Sequence, residues 1–410
     1  MRLLSRQGVA ISLVLVLAAR CIASLAGLLI IPLIGMSGAA AYGDFSIEYG
    51  SALAFSAFFS ALPMQAALRG YDPSEDASKF EAFSVLCGLA AAMVTLLFMI
   101  SQASLAVSVA ASAFVGLQVV SVGLLTIVQV ERGAVRPAVL ELARGLLTLV
   151  LIGLVVLAGT SLDSVVAFLL LAGGYGVQMG LLSKRLKWPG PTHAGEFVRM
   201  ASLGVLIAAW LLLGSSIYLI AKWMVRPDLT VAAFASFTYQ LDIVARIIGL
   251  TGAIAITNFL TPFAAAARTG DGLEFRATLV AATGVHIGLS VAAGLVVAGA
   301  TVIGAPIWNV SPEPVFLAMI WLVVTALQFM PIAHKWLELT RGGARPLACL
   351  VAANLVLVAV YAGSREWLPD GFEPSVGILT ALLVAATLYV SLVLASLLRA
   401  LRDQQGLERP

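Results

Sequence analysis

Arg20 stands eleven residues into an apolar run of 26, Val9–Ile34. At 1.5 Å per residue it lies roughly 16 Å along a helix. Its helical neighbours three and four residues away are Val16, Leu17, Ala23 and Ser24, so no acid on its own helix neutralises it. An ionised side chain at mid-bilayer costs on the order of 2.5–3.5 kcal/mol on insertion scales. Its counter-charge must therefore come from another helix or from a ligand. Two readings stay open: a structural pair that locks two helices, or a guanidinium held ready for an anion. The planar fork of arginine suits the second, since it grips phosphate or pyrophosphate oxygens two at a time.

Other charges share this setting. Asp242 and Arg246 lie four residues apart in one apolar run, hence on one helical face and able to pair. Such a pair either sits buried quietly or acts as a switch, with Asp242 releasing Arg246 on protonation or ion binding. Asp44 and Glu48 repeat the spacing; Asp44 is near an interface, whereas Glu48 is a candidate to line a cavity. His286 falls deep in a later run, where it is a titratable ligand or a hydrogen-bonded helix contact. Glu141 and Arg144, with His334, Lys335 and Glu338, are read as interfacial.

These groups need helices to hold them. The chain is 61% hydrophobic and 11% charged, with a mean hydropathy of +1.03, against about 25% charged in an ordinary globular domain. Twelve runs are long enough to span a bilayer core: Val9–Ile34, Tyr42–Leu68, Phe80–Ile100, Leu105–Val130, Ala138–Ala158, Val165–Leu182, Val198–Ala221, Val231–Pro262, Ala277–Val302, Val315–Leu337, Leu347–Tyr361 and Val376–Leu398. No alternating pattern appears, so the expected class is an all-α polytopic membrane protein. The loops are too short for a soluble domain with its own core. The first run is too long for a secretory leader and reads as the first span. Cys21, Cys87 and Cys349 lie in spans without paired spacing, which argues against a disulfide framework or a zinc site.

Lys and Arg divide unequally between alternate loops. One side collects 18, the other holds only Lys222, Arg226 and Arg365, and 3 of the 24 lie within spans. The positive-inside rule puts both termini in the cytoplasm. RGAVRP at 132–137 returns as RGGARP at 341–346, each between the fourth and fifth span of a half. A weaker echo pairs AAYGDFS at 40–46 with AAFASFT at 232–238. Six spans per half preserve orientation, so the expected plan is two six-helix lobes, 1–183 and 198–400, in a parallel repeat. A polar linker, 184–197, joins them, a tail covers 401–410, and a cleft lies between the lobes. Pro32, Pro63, Pro262 and Pro331 near span ends are candidate bending points.

The chain carries no GxxxxGK[ST] loop, no HExxH and no GxSxG. No cofactor is indicated. Asp228, Asp370 and Glu373 in outer loops of about ten residues are thin material for catalysis, so an enzyme is not expected. The loop RGYDPSEDASKF also lacks the basic signature of major facilitator transporters.

The passage from Arg20 through IIPLIGMSGAAAYGDFSIEYGSALAFSAFFSALPMQAALRG resembles the opening of bacterial polysaccharide (O-antigen type) flippases, which belong to the multidrug/oligosaccharidyl-lipid/polysaccharide (MOP) exporter superfamily. The shared marks are Pro32, the small residues Gly35 to Ala41, and Tyr42-Gly43. AAFASFTYQLDIVARIIGLTGAIAITNFLTPFAAAARTGD resembles the matching eighth-helix region, with Pro262 in place. The resemblance implies a MATE-like body in the inner membrane that moves an undecaprenyl-pyrophosphate-linked glycan outward by alternating access. It implies a cationic cavity in which Arg20 and Arg246 hold the pyrophosphate, Asp242 and Glu48 serve as coupling acids for H+ or Na+, and His286 adds a further contact. Membrane lipids and a polysaccharide polymerase complex are the implied partners; nucleic acid is not. The alternative is a proton- or sodium-coupled multidrug exporter of the same superfamily. A non-transporting scaffold for polysaccharide synthesis is a third reading.

Overall fold

The computed structural model describes residues 6–72, 77–133, 135–185, 194–308, 314–335, 344–367 and 373–407. They form twelve long α-helices and two 3-10 turns, with no strand among them. The helices are α1 (Arg6–Gly35), α2 (Ala39–Gly70), α3 (Ser78–Met99), α4 (Leu105–Arg132), α5 (Val135–Leu157), α6 (Ser164–Leu181), α7 (Ala194–Val225), α8 (Val231–Thr269), α9 (Gly272–Trp308), α10 (Pro314–Ala333), α11 (Ala344–Trp367) and α12 (Pro374–Leu407). Eleven are long and apolar enough to cross a membrane, and α1 adds a shorter apolar stretch, Cys21–Gly35. The all-helical, multi-pass architecture is thus the one the hydropathy pattern predicts. Hydrocarbon offers backbone groups no partner, so each run closes its own hydrogen bonds.

Helix limits follow capping chemistry rather than hydropathy. Ser104 Oγ accepts the Val107 amide at 3.3 Å to open α4, and Asp163 accepts the Val166 amide at 2.9 Å to open α6. Asp271 receives the amides of Leu273 and Glu274, each at 2.9 Å, at the head of α9. Gly133 (φ 76°) and Gly270 (φ 72°) end α4 and α8 in the left-handed region that glycine tolerates. Pro262, expected to close the eighth span, instead lies inside α8, which runs on to Thr269. The two repeat motifs fall at matching places: Val135-Arg136-Pro137 opens α5 and Ala344-Arg345-Pro346 opens α11, where a proline costs no helical hydrogen bond. Residues 341–343 of the second copy and 186–193 of the linker lie outside the described residues.

The chain divides into two compact units, Met1–Ser216 and Ile217–Pro410, with the division inside α7. In the first, glycines let backbones meet, as membrane helices require without a hydrophobic force between them. A Cβ on Gly88 of α3 would stand 2.9 Å from the Gly116 carbonyl oxygen of α4, and one on Gly145 of α5 would stand 2.9 Å from both Cα and N of Ala23 on α1. Gly204 of α7 meets α2 in the same way, 3.2 Å from the Ala61 oxygen. The interior holds an aromatic stack of Phe45, Tyr49, Phe114, Phe168 and Tyr175, with centroids 5.4–6.2 Å apart.

One end of this unit is tied by charge. Arg185, in the turn after α6, grips both carboxylate oxygens of Glu131 at the end of α4 and reaches Glu81 of α3 at 3.3 Å. Tyr71 donates to Glu131 at 2.9 Å. The Glu131 carboxylate raises the Arg185 pKa above its ordinary value. Burial, with help from Glu131, pushes the Tyr71 phenol up to about 12.

In the second unit α8 packs on α9 and α10, and α11 on α12. Trp321 donates to the Ser290 carbonyl at 3.0 Å, and Tyr389 meets His334 Nδ1 at 3.0 Å. At the far end of α11, Asp228 accepts from Tyr361 at 2.7 Å and pairs with Arg365 at 2.8 Å.

Gly145→Ala should destabilise the protein by about 1–3 kcal/mol, the usual cost of overpacking, because backbone atoms of Ala23 cannot swing aside. Gly153→Ala on the same helix, whose added Cβ meets nothing within 4 Å, should be neutral or slightly stabilising. Thermal unfolding of both variants in nanodiscs checks the contrast; equal melting temperatures would refute the close α1–α5 contact.

Candidate functional site

The charges inside the second unit are set by where α7 stops. Hydropathy ends the seventh run at Ala221, but the helix continues to Val225 and is closed by the turn Arg226–Asp228 with its proline. Lys222, assigned from sequence to an outer loop, is therefore a helical residue, and that assignment is corrected. It is only 3% exposed, and its Nζ pairs with Asp242 Oδ1 of α8 at 2.5 Å. A lysine near a helix end ordinarily extends its stem toward water. Here the ammonium is turned to the carboxylate instead.

Asp242 is thus bound to a cation from α7, and Arg246 follows it by one turn on its own helix. Among the apolar stretches of the second unit it is the only mid-span carboxylate in the sequence.

His286 is placed apart from that group. Its ring is buried on α9, with Nδ1 3.0 Å from Thr251 Oγ1 of α8 and Nε2 donating to the Thr325 carbonyl of α10 at 3.1 Å. Thr251 in turn lies 2.9 Å from Ser290 Oγ, and the Phe329 ring stacks on the imidazole at 6.5 Å. Thr251 is nine positions beyond Asp242 on α8, roughly 14 Å along the axis. Both ring nitrogens are engaged in joining three helices.

In the first unit Arg20 lies on α1, but its side chain falls outside the described residues. Glu48 is half-buried on α2, next to Tyr49 of the aromatic stack. Asp44 is exposed. Arg144, read from sequence as interfacial, is nine positions into α5, roughly 14 Å along it. Its guanidinium carbon lies 4.3 Å from the centroid of the Tyr175 ring on α6. Its Nε is buried and finds no hydrogen-bond partner among the described residues, a state that costs about 1–3 kcal/mol or more. Sequence could have flagged it: Arg144 sits well inside an apolar run, whereas Arg136 marks that run's edge.

The fold has solved counterparts. One is a multidrug resistance MATE family transporter of the MOP superfamily in its inward-facing conformation: TM-score 0.71 at 13% identity, over 95% of this chain and 99% of that one. A second is the lipid II flippase MurJ, inward closed: TM-score 0.63 at 11% identity, over 93% and 87%. A third is a MOP superfamily transporter from Pyrococcus furiosus Vc1 (DSM3638), whose description states that reverse polarity of its binding pocket suggests a different function: TM-score 0.60 at 13% identity, over 95% and 96%. No family model and no curated protein matches the chain. At such identities these likenesses establish a MATE-like fold.

Lys222→Met and Asp242→Asn should each lower stability by on the order of 3 kcal/mol, because each leaves a desolvated partner without its counter-charge. The double variant should lose clearly less than the sum. A double-mutant cycle on thermal unfolding in nanodiscs measures this, and strict additivity would show that the two groups do not act together.

Proposed function

We propose that the chain is a transporter that flips an undecaprenyl-pyrophosphate-linked oligosaccharide from the cytoplasmic to the outer leaflet of a bacterial inner membrane. The observation that carries this reading is the basic character beside Asp242 in the interior of the second unit: Lys222 is bound to that carboxylate, and Arg246 follows it by one turn on α8. Guanidinium and ammonium groups suit the oxygens of a pyrophosphate and do not suit a cationic drug. In this reading six-helix lobes 1–183 and 198–400 alternate in access, and Arg20 and Arg246 hold the pyrophosphate by paired hydrogen bonds. Both termini face the cytoplasm, as the 18-to-3 division of basic residues favours.

Asp242 supplies the coupling. Proton or Na+ uptake there cancels the negative charge that holds Lys222 and strengthens the hold on an anion; release weakens it. Glu48 is the corresponding acid of the first lobe. A charge that crosses the membrane potential carries about 2.3 kcal/mol per 100 mV, enough to drive a slow exporter. His286, with both nitrogens committed to α8 and α10, serves to fix those helices. Catalysis has no part in this scheme. A polysaccharide polymerase is the natural recipient of the flipped product.

The competing reading is a proton- or sodium-coupled multidrug exporter. It is favoured by the fold shared with a multidrug resistance MATE transporter and by the mid-span acids Glu48 and Asp242.

Proteoliposomes loaded with a fluorescent undecaprenyl-pyrophosphate oligosaccharide separate the two. The wild type should translocate it, and Arg20→Ala and Arg246→Ala should each slow transfer by about tenfold or more, as expected for losing a charge-assisted contact, while remaining folded. Uptake of a cationic dye down to background in the same vesicles agrees with this. Dye transport without lipid transfer would overturn the flippase reading.

A further inference from the structure

Within the first unit, α4, α5 and α6 gather polar atoms that the described residues leave unsatisfied. Gln178 of α6 is 1% exposed; its Oε1 accepts from Ser121 of α4 at 2.5 Å, and its Nε2 has no partner. Gln118, one turn before Ser121 on α4, has a buried Oε1 that accepts nothing. Arg144 contributes the buried Nε described above. These groups lie within a turn of residues that touch one another. Tyr175, under the Arg144 guanidinium, is one turn before Gln178, and Phe114, against Tyr175 at 5.9 Å, is one turn before Gln118. Gly174 keeps α5 close, since a Cβ there would touch Arg144 Cγ at 3.4 Å.

The chemistry of the set is specific. The set comprises two donors, one of them cationic, and one amide acceptor, each atom shut off from bulk water. Buried donors with no acceptor are rare in folded proteins and mark a missing partner. Glu141, one turn before Arg144 on the same helix, is the nearest acid in sequence, yet the guanidinium lies over the Tyr175 ring and makes no ion pair with it. An oxyanion that carries one O–H satisfies all three orphan atoms, accepting from Arg144 and Gln178 and donating to Gln118. Phosphate and its monoesters are of this kind.

We propose that Arg144, Gln178 and Gln118 form a phosphate-oxyanion site inside the first unit, and that its ligand is the phosphate of the polyprenyl-linked cargo. The site rests on the geometry above; the identity of its ligand rests on the flippase reading. Arg144 is thereby a specificity-determining residue of that transporter.

The full chain in phosphatidylcholine nanodiscs is titrated with undecaprenyl phosphate, inorganic phosphate and phosphatidylglycerol. Variants are Arg144→Gln, Arg144→Lys, Gln178→Glu and, as a control of equal charge change, the exposed Arg199→Gln; melting temperatures verify folding. The expected result is undecaprenyl phosphate binding that falls about tenfold or more in Arg144→Gln and is partly kept by Arg144→Lys. Gln178→Glu, which retains the Ser121 contact but adds a negative charge, should also weaken it. Arg199→Gln should not. Equal binding by Arg144→Gln and Arg199→Gln would overturn the site while leaving lipid transfer by the wild type, and so the flippase reading, untouched. Arg144-dependent binding in a protein that transfers no lipid-linked oligosaccharide would keep the site and sink that reading. Equal competition by phosphatidylglycerol, or binding of inorganic phosphate alone, would overturn the assignment to cargo.

Discussion

A hydrocarbon interior supplies no hydrogen bonds, so every polar atom in it must be answered by the chain itself or by something the chain carries. Most of the molecule obeys this locally. Backbone groups close within helices, and hydroxyls bond the preceding turn: Ser51 to the Ile47 carbonyl, Ser84 to Phe80, Thr148 to Arg144. Longer polar side chains find partners across helices, as His286 does with Thr251 and Thr325. Against that background the groups of interest are those whose account does not close within the protein.

The two units handle charge differently. The first places its strongest ion cluster at one end, where Arg185 draws together α3, α4 and the exit of α6 through Glu81 and Glu131. That is a fastening, and its acids are spoken for. Deeper in the same unit Arg144 rests on an aromatic face. The second unit carries an ion pair between Lys222 in the last turn of α7 and Asp242 of α8. A buried pair of this kind contributes little net stability compared with an apolar replacement, which makes a role in recognition the more economical reason for keeping it.

Much of this was legible in the sequence, because bilayer thickness writes itself into composition: twelve apolar runs correspond to twelve helices, and the repeated RGAVRP and RGGARP fall at the heads of α5 and α11. The errors share one cause. Hydropathy places a boundary at the first charge or proline, whereas a helix ends where its hydrogen bonds are capped. Apolar character stops at Ala221 and so assigns Lys222 to a loop, and Pro262 reads as a terminus although α8 continues to Thr269. Arg144, toward the cytoplasmic end of its run, reads as interfacial from sequence. Its contact with Tyr175, 31 positions later, depends on how α5 lies on α6, and no local pattern encodes that.

The touching backbones of α1 and α5 bear on more than packing. Ala23 and Gly145 meet with no side chain between them; Arg20 is anchored one turn before the first, and Arg144 one residue before the second. The roots of these two guanidiniums are therefore referenced to a single main-chain crossing. Their separation is a gauge built into the scaffold, insensitive to rotamer changes.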